Sequence, residues 1–114
     1  MDLSETDIAW LAGILEGEGC FSLANRGIGR KRSPRIFLKM TDKDVIERAA
    51  LMMGVACRRV TTPNQMAREQ AGTHKPVFLA QANGDRCRLV MRLVLKHMGE
   101  RRTKRILESL EDWT

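Results

Sequence analysis

The order of periodicities along the chain predicts an α+β domain. Three observations carry that expectation. An apolar stretch of helical spacing opens the chain, and two segments that alternate apolar and polar residues flank a glycine-rich basic turn. The helix-plus-hairpin order then recurs roughly further on, so that the whole reads helix, two strands, helix, two strands, helices. At 114 residues the chain suffices for a single domain over 1–114 with one modest core.

The first helix starts at "SETD", where Ser4 can cap and Asp7, three residues on, completes an approximate capping box. Ile8, Leu11, Ile14 and Leu15 supply its apolar positions, and the pattern stops at glycines. "CFSLANR" has strand periodicity: Phe21 and Leu23 face one way, Cys20, Ser22, Ala24 and Arg26 the other. "GIGRKRS" is a basic loop, and "PRIFLKM" closes an antiparallel hairpin. Thr41 or Asp42 caps "KDVIERAALMMG", which ends at Gly54. "VACRRVTT" reads as a strand, "PNQMAREQAGTHK" as a long polar connection and "PVFLAQA" as another strand. "GDRCRLVMRLVLKHMG" is an amphipathic helix with Leu89, Leu93 and Met98 among its apolar positions. A last helix, "ERRTKRILESLEDW", carries Ile106, Leu107, Leu110 and Trp113.

Composition narrows the function classes. No apolar run approaches the roughly 20 residues a membrane span needs. "MDLSETD" is acidic, unlike a secretory or organelle leader. Cys20, Cys57 and Cys87 lie far apart without a CxxC pair, which fits reduced, inert thiols in an intracellular, cytoplasm-like compartment. Twenty Lys and Arg against fourteen Asp and Glu give +6, which favours a polyanionic partner, nucleic acid first. Aromatics are only 4%, too few for a platform that stacks single-stranded bases. His74 and His97 are isolated, Met52, Met53, Met91 and Met98 read as core filling, and Trp10 and Trp113 as packing in the helical layer.

The most unusual stretch is "LAGILEGEG", residues 11–19, in which Glu16 and Glu18 alternate with Gly17 and Gly19. Carboxylates are unfavourable at a helix C-terminus, where the peptide dipoles already present negative charge. Ala9, Gly13 and Gly17 stand four apart on one helix face, with Ala12 and Glu16 nearby. Each glycine costs about 1 kcal/mol against alanine in a helix, so a gain from close backbone approach is expected. If the partner is the same helix of a second subunit, two-fold symmetry crowds four carboxylates, which then need water or hard cations.

These nine residues resemble the LAGLIDADG signature of homing endonucleases. Leu11, Ala12, Gly13 and Gly19 match it, and glutamate stands at both acidic positions. The order αββαββα with a trailing helix is similar to the family's core over nearly the whole chain. One motif in so short a chain resembles the homodimeric branch, which pairs two motif helices. The resemblance implies an antiparallel saddle sheet, a dimer through the motif helix (Ala9, Ala12, Gly13, Glu16, Gly17), and double-stranded DNA as partner. It implies a staggered break at a long pseudo-palindromic site, with Mg²⁺ as cofactor and Ca²⁺ supporting binding without cleavage. No small-molecule cofactor beyond the metal is expected.

By the same resemblance Glu18 binds the metal with help from the Gly17 carbonyl, while Glu16 is supporting. Asp42 matches the place of a polar residue near the catalytic water, with Lys39 nearby; a plain N-cap is the competing role. The family's later basic residue falls nearest Gly99, a departure that leaves Arg101, Arg102 or Lys96 to supply the charge. The sheet should meet the major groove with Ser22, Ala24, Arg26, Arg35, Phe37 and Lys39. Arg30, Lys31 and Arg32 at the hairpin tip suit phosphates or distal bases, and Arg59, Thr61, Lys75 and Gln81 are expected from the second hairpin. The same scaffold also serves as a non-cleaving DNA-binding regulator or RNA-splicing maturase, the competing reading.

Overall fold

The computed structural model describes residues 2–24, 27–30 and 32–111. Helix α1 (Glu5–Glu18) begins as its capping residues require: the Asp7 N–H donates to Ser4 Oγ at 3.1 Å and the Ser4 N–H to Asp7 Oδ2 at 3.2 Å. A hairpin follows, β1 (Cys20–Ala24) and β2 (Ser33–Met40), then α2 (Lys43–Met53). Helix α2 stops at Gly54, whose φ of 72° is left-handed and whose N–H closes the last turn. Strand β3 (Cys57–Arg59), helix α3 (Pro63–Gln70) and strand β4 (Phe78–Asn83) come next. Helix α4 (Gly84–Val94) runs into a 3₁₀ turn (Leu95–His97), and α5 (Glu100–Glu111) closes the described chain.

The four strands form one antiparallel sheet in the order β1-β2-β4-β3. Pro34 pairs only with Leu23 of β1, since pairing to β4 starts at Arg35, which places it at the end of the ladder where a missing N–H is tolerated. One sheet face carries Phe21, Ile36, Leu38, Ala80 and Ala82 into a core closed by α1, α2, α4 and Ile106 of α5. Ile36 and Leu38 are fully buried, each contributing about 1.5–3 kcal/mol from apolar burial. Trp10 packs against this core at its edge, with the Arg48 guanidinium 4.0 Å from its ring centroid. Among the described residues no helix is long and apolar enough to cross a membrane.

Three expectations change. The polar connection contains α3, capped by Thr62 Oγ1, which accepts from the Gln65 N–H, with Pro63 in the first turn. This helix lacks an apolar stripe; its buried member is Gln65, which donates to Glu69 and to the Lys75 carbonyl. The β3 strand is only three residues, not the eight of "VACRRVTT". In α4 the buried side is Cys87, Arg88, Val90, Met91 and Val94, whereas Leu89 is exposed. Arg88 enters that side paired with Asp85, which makes a cation tolerable there. Trp113 lies outside the described residues.

Candidate functional site

The end of α1 is fastened to the start of α5. Glu16 Oε1 accepts from the Gly99 N–H at 3.2 Å, and Arg102 Nε donates to the Glu16 carbonyl at 3.1 Å. The same nitrogen lies 3.3 Å from Glu16 Oε2, and the guanidinium sits 4.9 Å from the Phe21 ring centroid. Gly99 accepts from the Thr103 N–H, so it stands where α5 begins. The negative end of one helix thus meets the positive end of another, and a cation covers the junction. Gly99, where the resemblance expects a basic residue, faces the tip of the Glu16 side chain. A Cβ at Gly99 would stand 2.5 Å from Glu16 Oε1.

Glu16 therefore bonds within its own chain, and Arg102 is spent on the same junction, its side chain only 14% exposed. Gly17 and Glu18 are exposed, and Glu18 has no ion pair or hydrogen-bonded side-chain partner among the described residues. Arg101 is also exposed, lining a cleft with Gly19, Cys20 and Phe21. Asp42 is the N-cap of α2 by position, yet its carboxylate makes no capping hydrogen bond. Because Cys20 pairs with Phe37, the chain before β1 and the chain after β2 leave the sheet at one end. Glu18 and Asp42 lie at that end, and the hairpin tip at the other.

The face of the sheet turned from the helices holds the other candidates. Ser22, Arg35, Phe37 and Lys39 share it, as the alternation predicts, and Gln81 stands opposite Phe37. Arg35 Nε donates to Ser22 Oγ at 3.4 Å, and Arg35 and Lys39 flank the Phe37 ring at 5.8 and 5.5 Å from its centroid. Gln81 Nε2 donates to Asn83 Oδ1 at 3.0 Å. Ala24 of β1 pairs with Ser33 of β2. Arg30 and Arg32 are exposed near the hairpin tip, while Arg26 and Lys31 lie outside the described residues.

Register corrects part of this set. Cys57 and Arg59 stand opposite Ala80 and Phe78, which lie on the helix side, so Arg59 has the wrong parity for the open face. It pairs instead with Glu69 of α3, whose carboxyl is held below its usual range by hydrogen bonds from Gln65 and Arg59. Arg58, opposite Leu79, takes the open face with Gln81 and Asn83. Only the parity of adjacent arginines distinguishes them, and a strand of three residues leaves that phase unset in the sequence. Thr61 and Lys75 are exposed but outside the strands. On α1, Ala9, Gly13 and Gly17 are exposed as the stripe requires, whereas Ala12 is 1% exposed and packs in the chain's own core.

The antiparallel sheet is roofed by helices on one side and presents cations and amides on the other. No protein-family model and no curated protein matches the chain. Among solved structures it is similar to the group I intron-encoded homing endonuclease I-CeuI complexed with DNA. That match has a TM-score of 0.64 at 13% identity, over 97% of this chain and 55% of that one. It is also similar to the homing endonuclease I-CvuI in complex with the I-CreI target in the presence of Mg, with the DNA not cleaved. There the TM-score is 0.63 at 12% identity, over 95% of this chain and 66% of that one. The chain has the homing-endonuclease fold, and it spans 55% and 66% of the lengths of these two structures.

Proposed function

We propose that this chain is a homing-endonuclease domain that binds double-stranded DNA at a long pseudo-palindromic site and hydrolyses both strands with Mg²⁺, as a homodimer. The observation that carries the reading is the exposed Glu18 carboxylate, without a partner among the described residues, at the end of a sheet whose open face is cationic. A solvated carboxylate needs no such setting, but a ligand for a hard cation facing DNA does.

The donor chemistry fits such a cation. Glu18 offers carboxylate oxygens and Gly17 a carbonyl at the same helix end, both of the hard type that magnesium prefers. Among the described residues no three His, Cys, Asp or Glu gather in one protomer, so the remaining ligands would come from the partner helix, water and phosphate. When bound, magnesium would neutralise phosphate charge and lower the barrier to hydrolysis by water. Asp42, free of its capping bond, would orient that water, and Arg101 would face the phosphate. The dimer reading is supported by Gly13 and Gly17, where an added Cβ would meet nothing within 4 Å. Among the described residues nothing requires glycine at either place.

The test is a selection from a random duplex library, bound in Ca²⁺ and then switched to Mg²⁺, with cut ends sequenced and Glu18→Gln run alongside. Cut ends at one pseudo-palindromic sequence, absent with Glu18→Gln, are expected. The variant should keep DNA affinity within about tenfold, since it removes a ligand to the cation and leaves the reading face intact. Enrichment without cutting would instead establish the non-cleaving regulator or maturase.

A further inference from the structure

We infer that the cleft between β1 and α5 seats the sugar–phosphate backbone of the DNA duplex, gripped by Lys104 and Arg105 alongside Arg101. This inference rests on the proposed DNA-cutting function and adds two residues and a surface to it. The cleft measures about 450 Å³, lined on one side by Gly19, Cys20 and Phe21 and on the other by α5. At roughly 30 Å³ per water, that is room for a stretch of polymer and not just for one inorganic ion.

Its charge is arranged at a cost. Arg101, Lys104 and Arg105 are exposed at spacings of three and four, so three like charges share one helix face and repel. Arg101 also sits in the first turn of α5, where the helix end is already positive. None of the three has an ion pair among the described residues, and Glu108 is the one carboxylate in the lining. The fourth cation shows the contrast: Arg102 is engaged by Glu16 and covers Phe21. An outside anion relieves both penalties.

The nature of the anion follows from what surrounds the charges. Phe21 is 9% exposed, its ring under the Arg102 guanidinium, so the lining offers no free aromatic for a base to stack on. Lysine and arginine without base-reading geometry hold phosphates irrespective of sequence. Gly19 follows Glu18 directly, so a backbone lying in the cleft passes the acidic end of α1.

The experiment uses Lys104→Gln with Arg105→Gln, Arg101 being retained. Glutamine is a good helix former, so the fold should persist, as far-UV circular dichroism would check. Binding of a mixed-sequence DNA duplex is titrated in Ca²⁺ over a salt series by fluorescence anisotropy. The slope of log K against log salt should shallow by about 3.6 for the dimer, at about 0.9 for each of the four phosphates no longer neutralised by its two protomers. Lys104→Gln alone, kept for the case that the double variant unfolds, should shallow it by about 1.8 for the dimer. Glu108→Gln should tighten binding to every duplex. An unchanged slope in a variant that binds like wild type overturns the inference and leaves the nuclease reading standing. A loss confined to double-stranded RNA also overturns it. If the wild-type protein binds no duplex at all, the functional reading itself fails and takes this one with it.

Discussion

The Glu16 carboxylate accepts a hydrogen bond from the backbone N–H of Gly99 at 3.2 Å, joining groups 83 residues apart in sequence. That contact explains one of the two carboxylates at the end of α1: Glu16 answers the positive start of α5 and its Arg102. Glu18, two residues later, has no such partner among the described residues, and the asymmetry separates a structural acid from a candidate ligand.

Glu16→Ala should cost about 1 kcal/mol, the usual net worth of a half-exposed charge-assisted hydrogen bond. Gly99→Ala should cost a similar amount, because its Cβ would displace Glu16 Oε1 from 2.5 Å. Both changes break the Gly99–Glu16 contact, and Glu16→Ala also removes the pairing with Arg102, so the double variant should cost little more than Glu16→Ala alone. Urea denaturation midpoints measure this directly. Fully additive losses would show that the two residues act separately.

Arg58 and Arg59 should part company in DNA binding. Arg58 lies on the open face opposite Leu79, and truncation to alanine should cost about 1–3 kcal/mol of binding and relax preference at one base position. Arg59→Ala breaks the pair with Glu69, and should lower stability by under about 1 kcal/mol while sparing specificity. Competition binding against a panel of singly substituted target duplexes distinguishes them. Equal loss of specificity in both would mean that β3 is shifted by one residue.

Where the sequence was legible, a long pattern was anchored at both ends. The α1 cap, the β1–β2 alternation and the stop of α2 at Gly54 each rest on several residues agreeing, and all are present. Helix α3 escaped because it packs through Gln65 and hydrogen bonds, leaving no apolar period to detect, although "TP" before it is a start signal. Leu89 and Leu93 suggested the wrong phase for α4, since the buried stripe includes Arg88, whose charge argued for the surface. Ala12 looked like part of the small-residue stripe, yet alanine serves a core as readily as an interface. For the site, the motif singles out Glu18 as a candidate, whereas the junction of Glu16 with Gly99 and Arg102 depends on contacts across more than 80 residues that no local pattern encodes.

Cys87 gives a pH signature. Burial pushes its thiol up to about 12, against an ordinary value near 9, so the folded chain keeps the proton that the unfolded chain releases. Stability from this group is whole below pH 9 and is lost as pH rises from 9 toward about 12, by up to about 1.4 kcal/mol per unit. The stability difference between wild type and Cys87→Ala should therefore shrink between pH 8.5 and pH 10, by about 1 kcal/mol. Iodoacetamide at neutral pH should label exposed Cys20 and leave Cys87 untouched until the chain unfolds. Early labelling of Cys87 would contradict its burial.

Gly13 tests the proposed dimer through a sign that ordinary core positions do not give. An added Cβ there meets nothing within 4 Å, so Gly13→Ala should stabilise an isolated protomer by up to about 1 kcal/mol through helix propensity. The same methyl would stand between two helices if α1 meets its symmetry mate, and Gly13→Leu should push them apart. Sedimentation velocity should then show Gly13→Leu as a folded monomer, with DNA cleavage lost and its thermal midpoint concentration-independent. Ala12→Leu is the contrast: at 1% exposure the added bulk enters the protomer core and should cost about 1–3 kcal/mol of folding. A Gly13→Leu protein that still dimerises and cuts both strands would move the interface away from this face of α1.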